Sequence, residues 1–210
     1  MGIFNIFQRQ PEKIKGYIGY YGITDWWLAA FSEKEIEYIV EIFQPLNGTG
    51  NCLMKDDITE TDETQISFLL NLSSWFKKEN DRTIGFRIIK KAEELLTKTS
   101  NVLDAHYLFQ TKIELFYRWR DDEALLTEAI NACKKQIEIS AETKIQFKKE
   151  NKREPLPSHK GFEQLAILEE KRNNYQDAID ISKKALTEGW YGDWENRIER
   201  CVKKLSKQKQ

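Results

Sequence analysis

Apolar residues recur every three or four positions through the C-terminal two-thirds of the chain, which is the spacing of helices with one buried face. Ile66, Leu69 and Leu70 begin the first such stretch, and Ile84 begins the next. Only a short polar corner separates the two stretches, so the two helices must lie antiparallel. The pattern therefore predicts a first helical hairpin at about 66–96.

The following stretch predicts a second hairpin. A helix over about 103–119 precedes one that starts near Asp122, where Asp121 and Asp122 are predicted to supply the N-terminal cap and the first-turn acid. Apolar positions thin out along this second helix, and charged residues replace them. We expect it to continue as one long helix until Pro155 and Pro157 stop it.

A third hairpin has the clearest pattern of the three. It begins near Ser158, turns at the polar corner Asn173–Tyr175, and should end at Gly189, because glycine readily adopts the left-handed conformation that closes a helix. A last helix at about 194–205 carries apolar residues on one face. Such a helix would cover the open end of a helical stack.

The N-terminal residues follow a different pattern, rich in aromatic residues and glycine. Turns are predicted at 16–22, followed by a short helix. Ser32, with a glutamate three residues later, forms the reciprocal capping arrangement that begins a helix, and this helix should run to about Phe43. We predict two parts, an N-terminal aromatic cap at 1–60 and a helical hairpin array with a C-terminal capping helix at 61–210.

Composition supports an all-α fold and a neutral protein. The chain contains only 4 prolines and 10 glycines, which favours helices over a sandwich of short strands. Its 33 lysines and arginines nearly balance its 34 aspartates and glutamates. This balance provides no bulk electrostatic reason to bind nucleic acid, so a nucleic-acid partner is not expected.

Cysteines and hydropathy bear on location. Cys52, Cys133 and Cys201 are odd in number, lie far apart and form no CxxC pair, which fits reduced thiols. No stretch reaches the ~18 apolar residues of a membrane span. We predict a cytoplasmic protein without a membrane span, and the style of the sequence favours a bacterial one.

Candidate chemistry is sparse. His106 and His159 lie at helical spacing neither from each other nor from a cysteine, so a zinc site is not expected. His106, beside Asp104, has the chemistry of a base, but a structural histidine is the favoured interpretation, and His159 should sit at a helix start. No phosphate loop or nucleophile motif is present. We predict a protein that is not an enzyme and that uses no cofactor and no metal.

The C-terminal stretch is basic and has two interpretations. A helix that tracks phosphates would look like this, but so would a helix C-terminus with favourable dipole pairing, and the second interpretation is favoured. The basic residues are Arg197, Arg200, Lys203, Lys204, Lys207 and Lys209.

The third hairpin resembles a tetratricopeptide repeat. The resemblance is carried by Phe162–Ala166, by Asn173–Ile179 and by Ala185, where small residues let two helices approach closely above an aromatic corner. Glu169 and Trp190 depart from the family pattern, which has tyrosine and proline there. The first hairpin is in register with the repeat, and the middle hairpin matches only by pattern.

The resemblance implies a short α-α superhelix whose first helices form a concave wall, and it implies a non-catalytic adaptor or regulatory module that binds a protein or peptide. Residues of the chaperone-tail clamp are mostly replaced, since only Lys160 fits, so that specialisation is not expected. The predicted wall residues with the strongest binding character are Lys77, Tyr107, Gln110, Glu114, Tyr117, Arg118, Lys160 and Glu163.

Two other hypotheses stay open. The first is an enzyme or small-ligand binder with a pocket between the aromatic cap and the first hairpin, lined by groups such as Asp25, His106 or Arg118. The second is a homodimer formed through the aromatic cluster of the cap. That cluster comprises Tyr17, Tyr20, Tyr21, Trp26 and Trp27.

Overall fold

The computed structural model describes residues 14–45, 48–96, 101–152 and 154–208. In these ranges the chain forms α-helices with only two short strands, so the predicted all-α class is confirmed. The chain divides into two compact units, Met1–Gln65 and Ile66–Gln210. Each unit is described by itself below.

Within residues 14–45 and 48–65, unit 1 contains three short helices followed by a 3-10 turn. They are α1 (Gly16–Tyr20), α2 (Thr24–Ala30), α3 (Glu33–Ile42) and the turn Gly50–Leu53. The predicted capping box at the start of α3 is present, because the Glu35 backbone N–H donates to Ser32 Oγ and the Ser32 N–H donates to Glu35. Local sequence signals therefore place this helix correctly.

A small aromatic core holds unit 1 together. Trp27 is fully buried and packs on Phe31 with ring centroids 4.9 Å apart. Helix α1 packs against the 3-10 turn at Gly16, where a Cβ would lie 2.4 Å from the carbonyl carbon of Leu53. Gly16 also has a φ of +59°, so both close packing and backbone conformation require glycine there.

Unit 2 is helical through most of its described residues. Its helices are α4 (Gln65–Ser73), α5 (Arg82–Leu96), α6 (Val102–Tyr117), α7 (Glu123–Glu138), α8 (Ser140–Glu150), α9 (Lys160–Lys171), α10 (Tyr175–Glu188) and α11 (Trp194–Gln208). Neighbouring helices pack in the order α5, α6, α7, and α9, α10, α11, while α9 also packs on α6 and α7. The two groups of helices therefore share one core.

Most helix boundaries in unit 2 follow local signals. Asp122 caps α7 by accepting backbone N–H bonds from Ala124 and Leu125, and Gly189 closes α10 with a φ of +84°. His159 caps α9, because its Nδ1 accepts the N–H of Phe162 at 3.3 Å. The ends at Gly189 and His159 were predicted from sequence, whereas at α7 the cap is Asp122 and the first-turn acid is Glu123, each one residue later than the expected Asp121 and Asp122.

The prediction of one long helix from Asp122 to Pro155 is wrong. The helix breaks at Ile139, which separates α7 from α8. Ser140 and Thr143 are buried there, and their hydroxyls donate to main-chain carbonyls one turn earlier. Hydroxyls that bond back to the helix in this way bend it, and here they accompany the break.

A short parallel pairing joins β1 (Leu156–Ser158) to β2 (Trp190–Tyr191), with Leu156 opposite Trp190. No strand was expected in this region. Trp190 and Trp194 are buried with Leu156 and Phe162 in one apolar cluster, and Trp194 Nε1 donates to the Trp190 carbonyl at 2.7 Å. Trp190, which departs from the family pattern, therefore anchors the end of the third hairpin.

Candidate functional site

An open groove of about 400 Å³ lies in unit 2 where three separate parts of the chain meet. Lys77 follows α4, Arg118 and Arg120 lie in the corner after α6, and Lys160 begins α9. We call this feature the basic groove. Its polar lining consists of Lys77, Glu114, Tyr117, Arg118, Arg120 and Lys160.

The floor of the groove is well packed and consists of the two remaining lining residues, the apolar Ile113 and the polar Gln164. Ile113 of α6 is fully buried and belongs to a core cluster with Leu165 of α9. Gln164, one turn into α9, is also buried and lines the same surface. Because the floor is anchored in the core, the side chains above it project from a rigid base.

Positive charge dominates the groove. Four cationic side chains line it against one carboxylate, that of Glu114. Lys77 and Arg118 make no ion pair within the described part of the chain, whereas Lys160 lies 3.3 Å from Glu163. The Arg120 guanidinium stacks over the Tyr117 ring at 5.1 Å, which holds both side chains at the surface. The groove therefore carries uncompensated positive charge.

Five of the eight predicted wall residues line the basic groove, and three do not. Gln110 lies one turn before Glu114 and donates to its carboxylate at 3.3 Å. Glu163 lines an adjacent depression beside Tyr191. Tyr107 is 44% exposed, but it lies ten residues before Tyr117, about 15 Å away along α6.

Sequence reasoning missed Arg120. The residue stands in an irregular corner, where helical periodicity does not say which way a side chain projects. Its local signal was the Arg-Trp-Arg order at 118–120, in which two guanidinium groups flank an aromatic residue. The positions of α4 and α9 around this corner depend on tertiary packing.

The two histidines meet in the core of unit 2. His106 of α6 and His159 are both almost fully buried, and their ring centroids lie 5.1 Å apart. The Trp190 ring stacks on His106 and meets His159 edge-on at 4.7 Å. His159 Nε2 has no hydrogen-bond partner in the part of the chain that the structure describes. We call this feature the histidine pair.

Burial keeps the histidine pair neutral. It lowers the pKa of His106 to about 4. Burial also lowers the pKa of His159 to about 3, and the charges of His106 and Lys184 add to that effect. Since the Phe162 N–H donates to Nδ1 of His159, its proton must reside on Nε2. A proton-transfer role for His106 would require solvent or substrate access that this packing does not provide.

Gln136 of α7 connects the elements around the histidine pair. Its amide nitrogen donates to the His106 carbonyl at 3.0 Å, and its amide oxygen accepts the Gly161 N–H at 2.6 Å. Gln136 is itself fully buried. One polar side chain thus fastens α6 and the start of α9 to α7.

The C-terminal basic residues largely serve an internal contact. The carboxylate of Glu170 in α9 forms ion pairs with three side-chain nitrogens, those of Arg197 at 3.0 Å, Arg200 at 2.8 Å and Lys204 at 3.0 Å. The hydrogen bond from Arg200, aided by that from Lys204, lowers the pKa of Glu170 to about 2 against the opposing effect of burial. This ion-pair cluster is an internal role that differs from both the dipole pairing and the phosphate contacts considered from sequence. Lys203 and Lys207 are exposed, and Lys209 lies outside the described residues.

In the part of the chain that the structure describes, no group of three or more His, Cys, Asp or Glu side chains is arranged to hold a metal ion. Across residues 14–45, 48–96, 101–152 and 154–208, none of the helices combines the length and apolar character that crossing a membrane requires.

No family model, no curated protein and no solved structure matches the chain.

Proposed function

We propose that this chain is a non-catalytic protein- or peptide-binding module with a tetratricopeptide-like array, and that its partner binds in the basic groove. The carrying observation is that Lys77, Tyr117 and Lys160, which are distant in sequence, line one open groove of unit 2. Three of the residues that the sequence predicts on the concave wall therefore lie on one surface. An adaptor or regulatory module acts through such a surface without turnover.

The packing of small residues supports the tetratricopeptide-like part of this proposal. Ala166, Ala178 and Ala185 are all fully buried, and α9 packs against α10. Small residues at these positions are what close helix–helix approach needs. The first helices of the second and third hairpins, α6 and α9, both contribute to the groove, as the inner helices of a repeat array do.

The groove has the residue types that hold protein partners. Tyr117 and Arg118 add large contact area and directional hydrogen bonds at low ordering cost. The main titratable candidate for chemistry, His106, is buried and lies twelve residues from Arg118, about 18 Å along α6. The exposed groups of the groove therefore favour occupancy over catalysis.

Self-association through unit 1 remains a separate hypothesis. Trp27 belongs to the core of unit 1, but Tyr20 is 45% exposed and Leu28 is 54% exposed. Multi-angle light scattering at micromolar concentration tests it, and a mass equal to that of the monomer would reject a dimer.

Site-specific photocrosslinking tests the proposed function. A photoreactive phenylalanine analogue replaces Tyr117 in one variant and Tyr107 in a matched control, because both residues are tyrosines on α6 but only Tyr117 lines the groove. Each variant is irradiated in native lysate, and crosslinked proteins are identified by mass spectrometry. We expect a specific protein adduct at position 117 and none at 107.

Binding measurements then complete the test. The identified partner is purified, and its dissociation constant is compared for wild type and Tyr117→Ala/Arg118→Ala. Loss of two anchors should weaken binding at least about tenfold. Equal crosslinking at both positions, or unchanged affinity in the folded variant, would remove the groove as the binding surface and favour the small-ligand hypothesis.

A further inference from the structure

The arrangement of charge around the basic groove restricts its partner. Its cations come from three chain segments, so they surround the floor from several sides. Lys77 is half-buried and Arg118 is exposed, and neither makes an ion pair in the described part of the chain. Cations that lack an internal partner lose the least on meeting an external carboxylate, since no existing pair must break.

Other features of the groove favour a peptide over a nucleic acid. Strand-binding proteins use a continuous basic track with stacking rings, whereas here Glu114 places a carboxylate within the lining. The Tyr117 ring is already covered by Arg120 at 5.1 Å, so this face is occupied. Ile113 beneath is fully buried, so the apolar surface open to a partner's side chain is that of the half-buried Tyr117 ring.

We propose that the basic groove binds an acidic segment of a protein partner, one in which aspartates or glutamates flank an apolar side chain. This inference rests on the proposed function and specifies its partner. Arg118 and Lys77 receive the carboxylates, with the planar guanidinium able to accept one in bidentate fashion. The apolar side chain packs beside the Tyr117 ring. Glu114, whose carboxylate accepts a hydrogen bond from Gln110, repels an acidic side chain placed beside it and so restricts where the carboxylates of the segment can lie.

The same groove differs from the chaperone-tail clamp of the tetratricopeptide family. That clamp uses fixed inner helix positions, and Leu70, Ser74, Thr111 and Gln164 stand at most of them. The charge here comes chiefly from Lys77, after α4, and from the corner at 118–120. The proposal therefore concerns acidic side chains and does not require a terminal carboxylate.

Peptide display on the full chain tests the proposal. Random peptides of about twelve residues, a length typical of groove ligands, are selected on immobilised wild type. They are then measured against Lys77→Glu/Arg118→Glu and against Lys203→Glu/Lys207→Glu. The second variant is a matched control, because it changes the net charge by the same amount at exposed lysines of α11. Each variant also alters one residue at a helix C-terminus, Arg118 in the first and Lys207 in the second. Circular dichroism and thermal melting establish that both variants fold.

The expected result has three parts. Enriched peptides are acidic and contain an apolar residue, the groove variant binds them at least about tenfold more weakly, and the α11 variant changes affinity less than about twofold. Binding also weakens as ionic strength rises, since the groove charges are partly solvated.

Four other outcomes overturn the proposal and separate it from the proposed function. Neutral peptides that depend on Tyr117 would disprove the acidic preference while leaving the peptide-binding function intact. Equal losses in both charge variants would show nonspecific attraction. Random single-stranded DNA that competes at the groove would make nucleic acid the occupant. Failure to enrich any peptide above an unrelated helical protein would reject both proposals.

Discussion

Acidification from about pH 7.5 to about pH 5 should destabilise unit 2 through the histidine pair. His106 and His159 are neutral in the folded core, because burial lowers their pKa values to about 4 and about 3. In the unfolded chain both return to the ordinary value of 6.5. The unfolded state therefore binds more protons over this range, and stability present above pH 6.5 is lost as the pH falls towards the folded values.

The magnitude follows from the linkage relation. At about pH 5 both histidines are still mostly neutral in the folded protein, because their folded-state pKa values lie below the pH. The loss of unfolding free energy therefore depends almost entirely on the pKa of histidine in the unfolded chain. Each histidine then accounts for about 2 kcal/mol, and the pair for about 4 kcal/mol. A domain of this size has a total free energy of unfolding of about 5–15 kcal/mol. The effect is thus a large fraction of the whole.

Urea unfolding at the two pH values measures this loss. Resolved amide resonances of α6 and α9 report unit 2 independently of unit 1. The control variant His106→Phe/His159→Asn keeps a ring in the aromatic cluster and a side-chain oxygen at the cap of α9. The substitutions change the unfolding free energy by the same amount at both pH values, so this change cancels when the two values are subtracted. The variant should lose less than about 1 kcal/mol over the same range.

Direct titration of the imidazole carbon resonances supplies the decisive check. Both rings should stay neutral in the folded protein down to about pH 5. If either ring titrates near 6.5 while α6 and α9 remain folded, its burial does not suppress protonation and the reasoning fails. Equal pH dependence in wild type and the double variant would refute it as well. Carboxylates with lowered pKa values, such as Glu170, lose their contribution only at lower pH.

Three further substitutions test other contacts of unit 2. Lys112→Ala removes both the cation that lies 2.7 Å and 3.4 Å from two carboxylates and the buried stem of the side chain, so it should cost about 3 kcal/mol in urea unfolding. Lys112→Met removes the same cation but keeps the packing of the stem and should cost about 1 kcal/mol; equal costs would contradict this assignment. Glu170→Gln removes the charge that three cations share, so amide exchange in α11 should accelerate about tenfold, and unchanged exchange would show that the cluster does not hold that helix. Gly161→Ala, despite better helix propensity, should lower stability by about 2 kcal/mol because its Cβ would lie 2.9 Å from the Cys133 carbonyl oxygen; a stabilised variant would mean that the neighbouring backbone yields.

Sequence determined the elements whose causes are local. The capping serine Ser32, the acidic cap Asp122 and the closing Gly189 each act within a few residues, so their signals can be read along the chain. The same holds for the corner Asn173–Tyr175 and for the periodic apolar faces of the helices. These signals were sufficient to predict an all-helical chain of successive hairpins.

Tertiary structure decided the features that join distant residues. The break at Ile139 depends on hydroxyls that are buried and bonded back to the helix, and polar residues in a charged stretch do not reveal that by themselves. Strand β2 and the histidine pair each unite positions that lie far apart in sequence. Their pairing is governed by core packing around Trp190, which has no short-range signature.

The candidate site shows the same division. Sequence alone selected Lys77, Tyr117, Arg118 and Lys160 by helix register and residue type, and it determined that the chain carries balanced charge overall. Only the fold showed that Arg120 lies beside them and placed Tyr107 elsewhere along α6. Charge balance is a sum over residues, whereas a local excess of positive charge depends on which side chains share a surface. That assignment is made by helix packing, and so the basic groove belongs to the tertiary structure.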